Sequence, residues 1–532
     1  MKVSKIPYAA TQRFSYLILK YIESHTTVQP FFNNEPTVAG FAKQLEEKST
    51  NFQESVAKRK TLVTVLEAQY TSLSISEKTS NNIASLTAEN TFTITTGHQL
   101  NLCAGPLDFL YKICTTINTC ALLTKEFPAH TFVPIYWMAT EDHDFEEIQF
   151  FNHKNTQYRW ESEQQGAVGR FDTSEILPSL EGFFKSLGTS QYAEELKTLF
   201  TNAYGKHKTL AAATRSLVNA LFGAEGLVVL DADDNSLKAS FVPYMQAELL
   251  QQTAFNEITK TNKSLAEFAK IQVQPRELNL FYLKEGLRER IVKEGAVFKV
   301  VGTEISFSET EILAELKNFP AHFSPNVCMR PLYQEVILPN LAYVGGGGEL
   351  AYWLQLQAYF KVSNVVFPIL LLRNSVQLLS KKQQQKLDAL HIGAEELFLK
   401  QSDLLQKKIR EQATVAMDFS PQRAALKTQF VALRKLATQT DASFEGAVNA
   451  QEKKQLNGLD ALEKRLLRAE KRKQQERVQR ITHLQNELLP NEGLEERYRN
   501  FAAYYETHGS SFIAALLTHT HPLETTFTLL EL

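Results

Sequence analysis

Three runs of apolar residues, each followed by polar ones, indicate how the chain folds. Residues 91–95, 132–138 and 227–230 are almost continuously apolar or β-branched, which is typical of strands covered on both faces. Between the first two runs, apolar residues recur with helical spacing over about 106–124. A strand, a helix and a strand joined by short connections form a βαβ unit, in which both strands end at the same edge of a parallel sheet. The pattern therefore predicts an α/β fold with a doubly wound, Rossmann-like core.

The later part of the chain adds strands, an insertion and a helical region. Apolar runs at 341–344 and 365–372 extend the sheet, and a hairpin pattern at 279–291 falls inside a stretch that interrupts the core. From residue 376 the composition changes to Lys, Gln, Glu, Leu and Ala, with leucines every three to four positions and a polar break at 438–445. This pattern is typical of a long antiparallel coiled coil. The predicted divisions are a helical lead-in (1–90), a Rossmann-like core (91–375) with an inserted subdomain (about 246–325), a coiled-coil arm (376–490) and a helical tail (491–532).

Composition and charge narrow the class of protein. The chain has 532 residues, 43% of them hydrophobic, and a formal net charge of −2, as expected of a globular protein and not of one that coats nucleic acid. A basic stretch at 453–480 is better explained as a solvated coiled-coil face than as an RNA-binding surface. The N-terminus has no signal-peptide pattern, and the most apolar run is too short to span a bilayer. Four cysteines without C-x-x-C spacing fit a reducing compartment. We therefore expect a cytoplasmic protein that binds neither membranes nor nucleic acid.

The first candidate binding segment follows the strand at 91–95. A polar, glycine-flanked turn leads from this strand into the next helix, and it contains Thr96, Gly97, His98, Gln99 and Gly105. Turns of this kind direct backbone N–H groups and a helix N-terminus toward an anionic ligand. Neither a Walker A motif nor G-x-G-x-x-G is present, so the pattern alone does not identify a nucleotide.

The second segment is the acidic run after the strand at 132–138. Glu141, Asp142, His143 and Asp144 predict a carboxylate wall that binds an ammonium group or sugar hydroxyls, with one member as a base. Two alternatives remain open: a polar loop that caps the next helix with Asp144 as its N-cap, and a metal site formed by Asp142, His143 and Asp144. Adjacent residues rarely converge on one ion, so we predict no metal.

The third segment follows the strand at 341–344. Gly345 to Gly348 precede a helix that begins with Glu349 and Tyr352, and successive glycine N–H groups can form an anion-binding nest. A flexible connection is the alternative explanation. Arg373 follows the last core strand and could neutralise a negative charge.

Three stretches carry a resemblance to a known family. TGHQLNLCAGPLDFLYK (96–112), VPIYWMATEDHDFEEI (133–148) and RPLYQEVILPNLAYVGGGGELAYWLQL (330–356) resemble, in order, the BshC family, the proposed cysteine ligases of bacillithiol synthesis. The resemblance implies a core similar to that of class I aminoacyl-tRNA synthetases. It also implies that cysteine is joined to the amino group of glucosaminyl-malate, with an adenylate route that uses ATP. Independently of the resemblance, an exposed apolar seam on the coiled coil predicts pairing with another subunit, and we expect a homodimer.

The resemblance, taken with the polar segments, assigns the candidate roles. Catalysis is assigned to His98, Asp142 and Asp144. Substrate or nucleotide binding is assigned to Thr96, Gly97, Gln99, Gly105, Glu141, His143, Gly346, Gly347, Glu349, Tyr352 and Arg373. The alternatives are another amino-acid ligase or nucleotidyltransferase on the same fold, and a non-catalytic coiled-coil adaptor.

Overall fold

The computed structural model describes residues 2–51, 56–413 and 417–532. The strands are β1 Val3–Pro7, β2 Thr91–His98, β3 Thr131–Met138, β4 Phe150–His153, β5 Thr156–Arg159, β6 Val228–Asp231, β7 Leu280–Lys284, β8 Leu287–Glu294, β9 Val297–Val300, β10 Ser306–Ser308, β11 Phe323–Pro325, β12 Asn340–Gly345, β13 Ile369–Leu372, β14 Val376–Leu379 and β15 Thr526–Glu531.

Helices cover these strands and form the C-terminal arm. They are α1 Tyr16–Ile22, α2 Val38–Asn51, α3 Val56–Tyr70, α4 Glu77–Ser85, α5 Asp108–Glu126, α6 Phe145–Ile148, α7 Ile176–Ser179, α8 Glu181–Ser186, α9 Gln191–Lys206, α10 Leu210–Phe222, α11 Asn235–Ala239, α12 Val242–Gln251, α13 Thr253–Leu265, α14 Glu309–Asn318, α15 Arg330–Ile337, α16 Gly347–Trp353, α17 Gln357–Val362, α18 Lys381–Ala389, α19 Gln401–Gln412, α20 Ser420–Ala437, α21 Ala442–Lys473, α22 Gln475–Leu488, α23 Ala502–His508 and α24 Ser510–His519. None of the helices described here is both long enough and apolar enough to cross a bilayer.

The central sheet has five parallel strands in the order β13-β12-β2-β3-β6. Numbered by their order in the chain, these strands lie 5-4-1-2-3, which is the Rossmann arrangement. The chain reverses its direction of strand addition between β2 and β12, so a crevice opens there at the carboxyl ends of the strands. The predicted Rossmann-like core is confirmed, and its switch point lies at the ends of β2 and β12, where the first and third polar segments begin.

Polar residues inside this sheet are satisfied by neighbouring strands. β2 and β12 are buried along almost their whole length. The hydroxyls of Thr93 and Thr95 both donate to Asn340 Oδ1, at 3.2 and 2.8 Å. Threonine therefore supplies the β-branched shape that a strand favours without leaving an unpaired buried hydroxyl.

A second sheet, β10-β9-β8-β7-β11, is antiparallel and lies within the range 246–325. Its β7–β8 hairpin turns at Glu285 and Gly286, and the positive φ of Gly286 (67°) suits a glycine. This is the hairpin predicted from 279–291. The sheet stands over the carboxyl end of the central sheet and supplies one wall of the cavity described below.

A third sheet, β1-β15-β14, joins distant parts of the chain. β15 pairs antiparallel with β1 and parallel with β14. β1 lies within residues 1–90, which the sequence pattern predicted to be helical. Residues 376–379 were predicted to belong to the coiled-coil arm, but they form β14. Both strands are short, and their shared partner lies more than a hundred residues away, so no local pattern identifies them.

The arm contains an antiparallel helix pair, α20 and α21, which confirms the predicted coiled coil. The chain reverses between Ala437 and Ala442, inside the predicted break, and Asp441 caps α21 by accepting from the backbone N–H of Ser443 and Phe444. Ion pairs link the two helices, including Arg423 with Asp460 at 2.7 Å.

Candidate active site

A cavity of about 670 Å³ lies at the switch point of the central sheet. Its floor is formed by the ends of β2, β3 and β12 and by the start of α16. The β7–β8 hairpin and the connection from β11 to α15 form the opposite wall. The cavity is therefore shared by the core and the inserted sheet.

The structure brings together residues from all three predicted polar segments at this cavity. Those that line it are Gly97, His98, Gln99, Glu141, Asp142, His143, Asp144, Glu349 and Tyr352. Parallel strands that end at one edge explain why segments so far apart in sequence meet here.

Thr96 and Gly105 do not line the cavity, contrary to the sequence prediction. The Thr96 side chain is buried and its hydroxyl donates to the backbone oxygen of Val344 at 2.8 Å. Gly105 has φ of 58°, and a Cβ there would lie 2.6 Å from Cβ of Asn101. Its carbonyl accepts from Asn500 Nδ2 at 2.7 Å. Gly105 thus shapes the turn and does not contact a ligand in the cavity.

Gly345 to Gly348 do not form the predicted anion-binding nest at this cavity. The backbone N–H of Gly346 donates to Glu349 Oε2 at 2.8 Å, so the chain's own carboxylate takes the position of an anion. A Cβ on Gly347 would lie 3.5 Å from Cγ1 of Ile18, because this part of the loop packs against α1. The glycines allow close packing of α16 on its neighbours, and Gly346 and Gly347 are not cavity residues.

Arg373 is likewise absent from the cavity. It is buried and pairs with Glu496 at 2.7 Å, and Asp108 lies 3.7 Å away. Its other terminal nitrogen donates to the Asn374 carbonyl and to Ser375 Oγ. Its charge is therefore balanced within the protein, at a junction with the C-terminal segment.

Lys112, which the sequence analysis did not select, organises the end of β2. Its ammonium lies 2.6 Å from Glu349 Oε2, 2.9 Å from the Gly97 carbonyl and 3.2 Å from His98 Nδ1. Tyr343 completes the group by donating to Glu349 Oε1 at 2.9 Å. A sequence signal for Lys112 was available, because it is a charged residue on a helix face whose other residues are buried.

These contacts determine the charge states at the cavity floor. Burial lowers the pKa of His98 well below 6.5, and the Lys112 charge lowers it further. His98 is therefore neutral at pH 7, with its Nδ1 lone pair toward Lys112 and its proton on Nε2. Burial alone would raise the pKa of Glu349, but Lys112 and the hydrogen bonds from Gly346 and Tyr343 outweigh it, so the net shift is downward. Buried Lys112 and partly exposed Glu349 therefore form an ion pair beside a neutral imidazole.

The acidic run is divided between structural and accessible carboxylates. Glu141 forms an ion pair with buried Lys238, and burial raises the pKa of this carboxyl. Asp142 accepts from Gln99 Nε2 at 3.0 Å and remains partly exposed. Asp144 occupies the N-cap position of α6 without a side-chain capping bond. Asp142 and Asp144 are therefore the carboxylates that can meet a ligand.

The metal alternative has a geometric basis in Asp142, His143 and Asp144. Each of these residues offers one possible ligand atom, and the three atoms lie within 4.8 Å of one another. However, His143 Nδ1 lies 2.6 Å from Nη1 of Arg288. A fixed guanidinium at that distance opposes a second cation. No step below is routed through a metal.

Arginines line the opposite wall. Arg276, Arg288 and Arg290 come from the inserted sheet and its approach, and Arg330 begins α15. Arg288 lies 4.0 Å from the ring centre of Phe281, and its Nε donates to Ser324 Oγ at 3.3 Å. The cavity is thus bipolar: its carboxylates come from the core, and most of its guanidinium groups come from the inserted sheet and its approach. The two sets meet where Arg288 Nη1 lies 4.0 Å from Asp142 Oδ1.

Rossmann strand order, a bipolar cavity at the switch point and an antiparallel helical arm define a Rossmann-like α/β protein with a site for small polar molecules. Two family models match it: "Bacillithiol biosynthesis BshC, N-terminal Rossmann-like domain" over residues 1–374, and "Bacillithiol biosynthesis BshC, C-terminal coiled-coil domain" over 376–532. The chain belongs to the BshC family.

Relatives match over the whole length. A protein of Flavobacterium psychrophilum with the name "Putative cysteine ligase BshC" is 50% identical over 531 residues, covering 100% of both chains. A protein of Flavobacterium johnsoniae with the same name is 48% identical over 532 residues, again covering 100% of both. Among solved structures, a putative arginyl-tRNA synthetase from Campylobacter jejuni aligns with 83% of this chain and 98% of its own, at 12% identity and a TM-score of 0.21. A score that low carries no conclusion about activity.

Proposed function

We propose that this protein is a ligase that joins the carboxyl group of cysteine to the amino group of glucosaminyl-malate. The observation that carries the proposal is the bipolar cavity. One substrate presents an amine and carboxylates, the other is a zwitterion, and both need cationic and anionic partners within one site. The name of two full-length relatives, "Putative cysteine ligase BshC", supports the cysteine-ligase part of this proposal.

The reaction requires a free amine and an activated carboxyl. We assign Asp142 as the group that accepts the amine proton, because its carboxylate is accessible and Gln99 orients it. The amine nitrogen attacks the acyl carbon, the C–N bond forms, and the bond to the activating group breaks. The protonated Nε2 of His98 and the arginines on the facing wall are the groups suited to the developing oxyanion.

We propose ATP as the co-substrate that activates the cysteine carboxyl, because a free carboxylate does not condense with an amine in water. The arginines that line the cavity suit its phosphates. Gly346 does not, because its N–H is already bonded to Glu349.

The first test compares Asp142→Asn with Asp144→Asn, using mass spectrometry to detect the amide product. Loss of the base should lower kcat about 100-fold or more in Asp142→Asn, whereas Asp144→Asn should lose less because its carboxylate makes no oriented contact. Equal, small losses in two folded variants would contradict the assignment of Asp142.

Single-turnover reactions with labelled ATP test how the carboxyl group of cysteine is activated. Product formed without nucleotide turnover would remove the adenylate step.

A comparison of the reaction rates with serine and with cysteine separates this ligase from another amino-acid ligase. An unchanged cellular thiol pool after Asp142→Asn would support the adaptor instead.

We also propose that the reaction occurs in the cytoplasm and that the protein is a homodimer formed through the arm. For the compartment, the four cysteines are buried and unpaired, as in a reducing environment.

For the homodimer, the arm has exposed apolar side chains: Leu433 and Leu436 on α20 and Leu462 on α21. The test is a triple variant that carries Leu433→Asp, Leu436→Asp and Leu462→Asp. Its molar mass, measured by light scattering, should be that of a monomer if these side chains form the interface.

A further inference from the structure

Arg330 occupies an unusual position in the cavity wall. It is the first residue of α15, and its guanidinium carbon lies 5.5 Å from the ring centre of Trp137, 5.6 Å from that of Tyr343 and 5.8 Å from that of Trp353. Aromatic faces attract a cation but accept no strong hydrogen bond from it. The rings therefore hold the guanidinium in place and shield it from water, while most of its donors still need partners.

The hydrogen bonds of Arg330 are incomplete. Nη1 donates to Gln334 Oε1 at 3.2 Å, and the Tyr352 hydroxyl lies close enough to interact with the guanidinium, whereas Nη2 is shielded from solvent and makes no hydrogen bond within 3.5 Å in the described ranges. In the same ranges no carboxylate lies within ion-pair distance of this side chain. Arg373, by contrast, faces Glu496 and Asp108. Arg330 is thus a partly buried cation at the cavity wall without a counter-ion of its own, and a ligand with negative charge would supply one.

The opening toward Arg330 depends on Gly97. A Cβ at this position would lie 3.0 Å from the Tyr343 hydroxyl and 3.7 Å from Nη1 of Arg330. With glycine there, the space between the end of β2 and the guanidinium stays free and continuous with the cavity. Tyr352 also lines the cavity on this side.

We propose that Arg330, its three aromatic neighbours and the gap above Gly97 form a subsite for a substrate carboxylate. A planar guanidinium matches a carboxylate with two parallel hydrogen bonds, which a lysine ammonium cannot make. The inference rests on the proposed ligase activity, because it concerns a substrate of that reaction. The carboxylate belongs either to the malate part of the amine substrate or to the amino acid before activation, and the test separates these two sources.

The test uses Arg330→Met and Arg330→Lys in the full chain, with Arg480→Met on an exposed face of α22 as the matched control. KM is measured for each substrate separately, and binding of L-malate and of L-cysteine is measured by calorimetry. Arg330→Met should weaken binding of the substrate whose carboxylate it holds by about 30- to 100-fold, and Arg330→Lys by about 10-fold. Arg480→Met should change neither value.

Two further variants separate binding from folding. Gly97→Ala keeps Arg330 but places a methyl group at its approach, so it should weaken the same substrate selectively. Arg330→Ala leaves the space between the rings empty, and millimolar guanidinium chloride should restore part of the affinity, which a purely structural role does not predict.

The outcomes distinguish this inference from the proposed function. If no ligase product forms but L-malate or L-cysteine binding depends on Arg330, the subsite stands and the proposed reaction fails. If the reaction proceeds and Arg330→Met has wild-type KM and affinity for both substrates, the subsite is overturned. A lowered melting temperature with unchanged KM and no rescue by guanidinium also overturns it.

Discussion

At the scale of single residues, Lys112 connects the end of β2 to α16. Its ammonium meets a carboxylate, a carbonyl and an imidazole nitrogen within 3.2 Å. Because the group is buried, none of these contacts can be replaced by water without rearrangement. The orientation of His98 and the charge of Glu349 both depend on this one side chain.

We expect Lys112→Met to destabilise the protein by about 1–3 kcal/mol, because it leaves the partly buried Glu349 carboxylate without its cation. The double variant with Glu349→Gln should recover a substantial part of this loss, since it removes the unpaired charge. Urea denaturation followed by circular dichroism measures both. Additive losses in the double variant would show that the two residues do not act as a pair.

The sequence identified residues that directly follow strands better than those carried by helices. Gly97 lies at the end of β2, and Gln99 and Asp142 follow β2 and β3; the end of a parallel strand faces the crevice whatever the helices do. Lys112 and Arg330 lie on helices, whose rotation about their axes depends on packing partners elsewhere in the chain. A lone charge on a buried helix face could have singled out Lys112, but the partners of Lys112 and Arg330 could not be derived from local sequence.

At the scale of elements, the two glycine-containing turns beside the cavity have different physical origins. Gly105 needs its positive φ and has no room for a Cβ beside Asn101. Gly348 lies within α16, and a Cβ there would meet no atom within 4 Å. Glycine is thus required at position 105, whereas the structure has room for another residue at position 348.

We expect Gly105→Ala to destabilise the protein by about 1–3 kcal/mol through backbone strain and the clash with Asn101. Gly348→Ala serves as the matched substitution and should stabilise by about 0.5–1 kcal/mol, because alanine favours a helix. Thermal unfolding of both variants measures the difference. A destabilising Gly348→Ala would indicate that the glycine run needs its flexibility after all.

Elements with strong local patterns were predictable, and elements defined by distant partners were not. The five core strands, α5 and the β7–β8 hairpin carry their own periodicity or turn residues. β1 and β14 are short, and they become strands only because β15 pairs with both. The glycine run was predicted to bind a ligand because Glu349 was assigned to ligand binding. In the structure, the Glu349 carboxylate instead accepts from the backbone N–H of Gly346.

At the scale of the whole molecule, Arg373 joins the core to the C-terminal segment. It follows β13 and pairs with Glu496, which lies beyond the arm. Asn500 reaches the turn after β2, where its side chain donates to the carbonyls of Cys103 and Gly105 at 2.9 and 2.7 Å. The segment predicted as a helical tail therefore supports the core directly.

We expect Arg373→Met to lower the free energy of unfolding by about 3–5 kcal/mol, because the buried carboxylates of Glu496 and Asp108 lose their cation. KM for either substrate should not change at temperatures where the variant is folded, since Arg373 is not a cavity residue. Calorimetric unfolding and initial-rate kinetics test the two parts. A raised KM in a stable variant would return Arg373 to the binding site.

The position of β15 between β1 and β14 has a consequence for biosynthesis. When a ribosome has translated as far as residue 490, every cavity residue has been made, but the strand that unites β1 with β14 and the amide of Asn500 that braces the turn have not. These contacts therefore form only after residues 491–531 have followed. A nascent chain holds every cavity residue for some time before the C-terminal segment can support the turn beside the cavity.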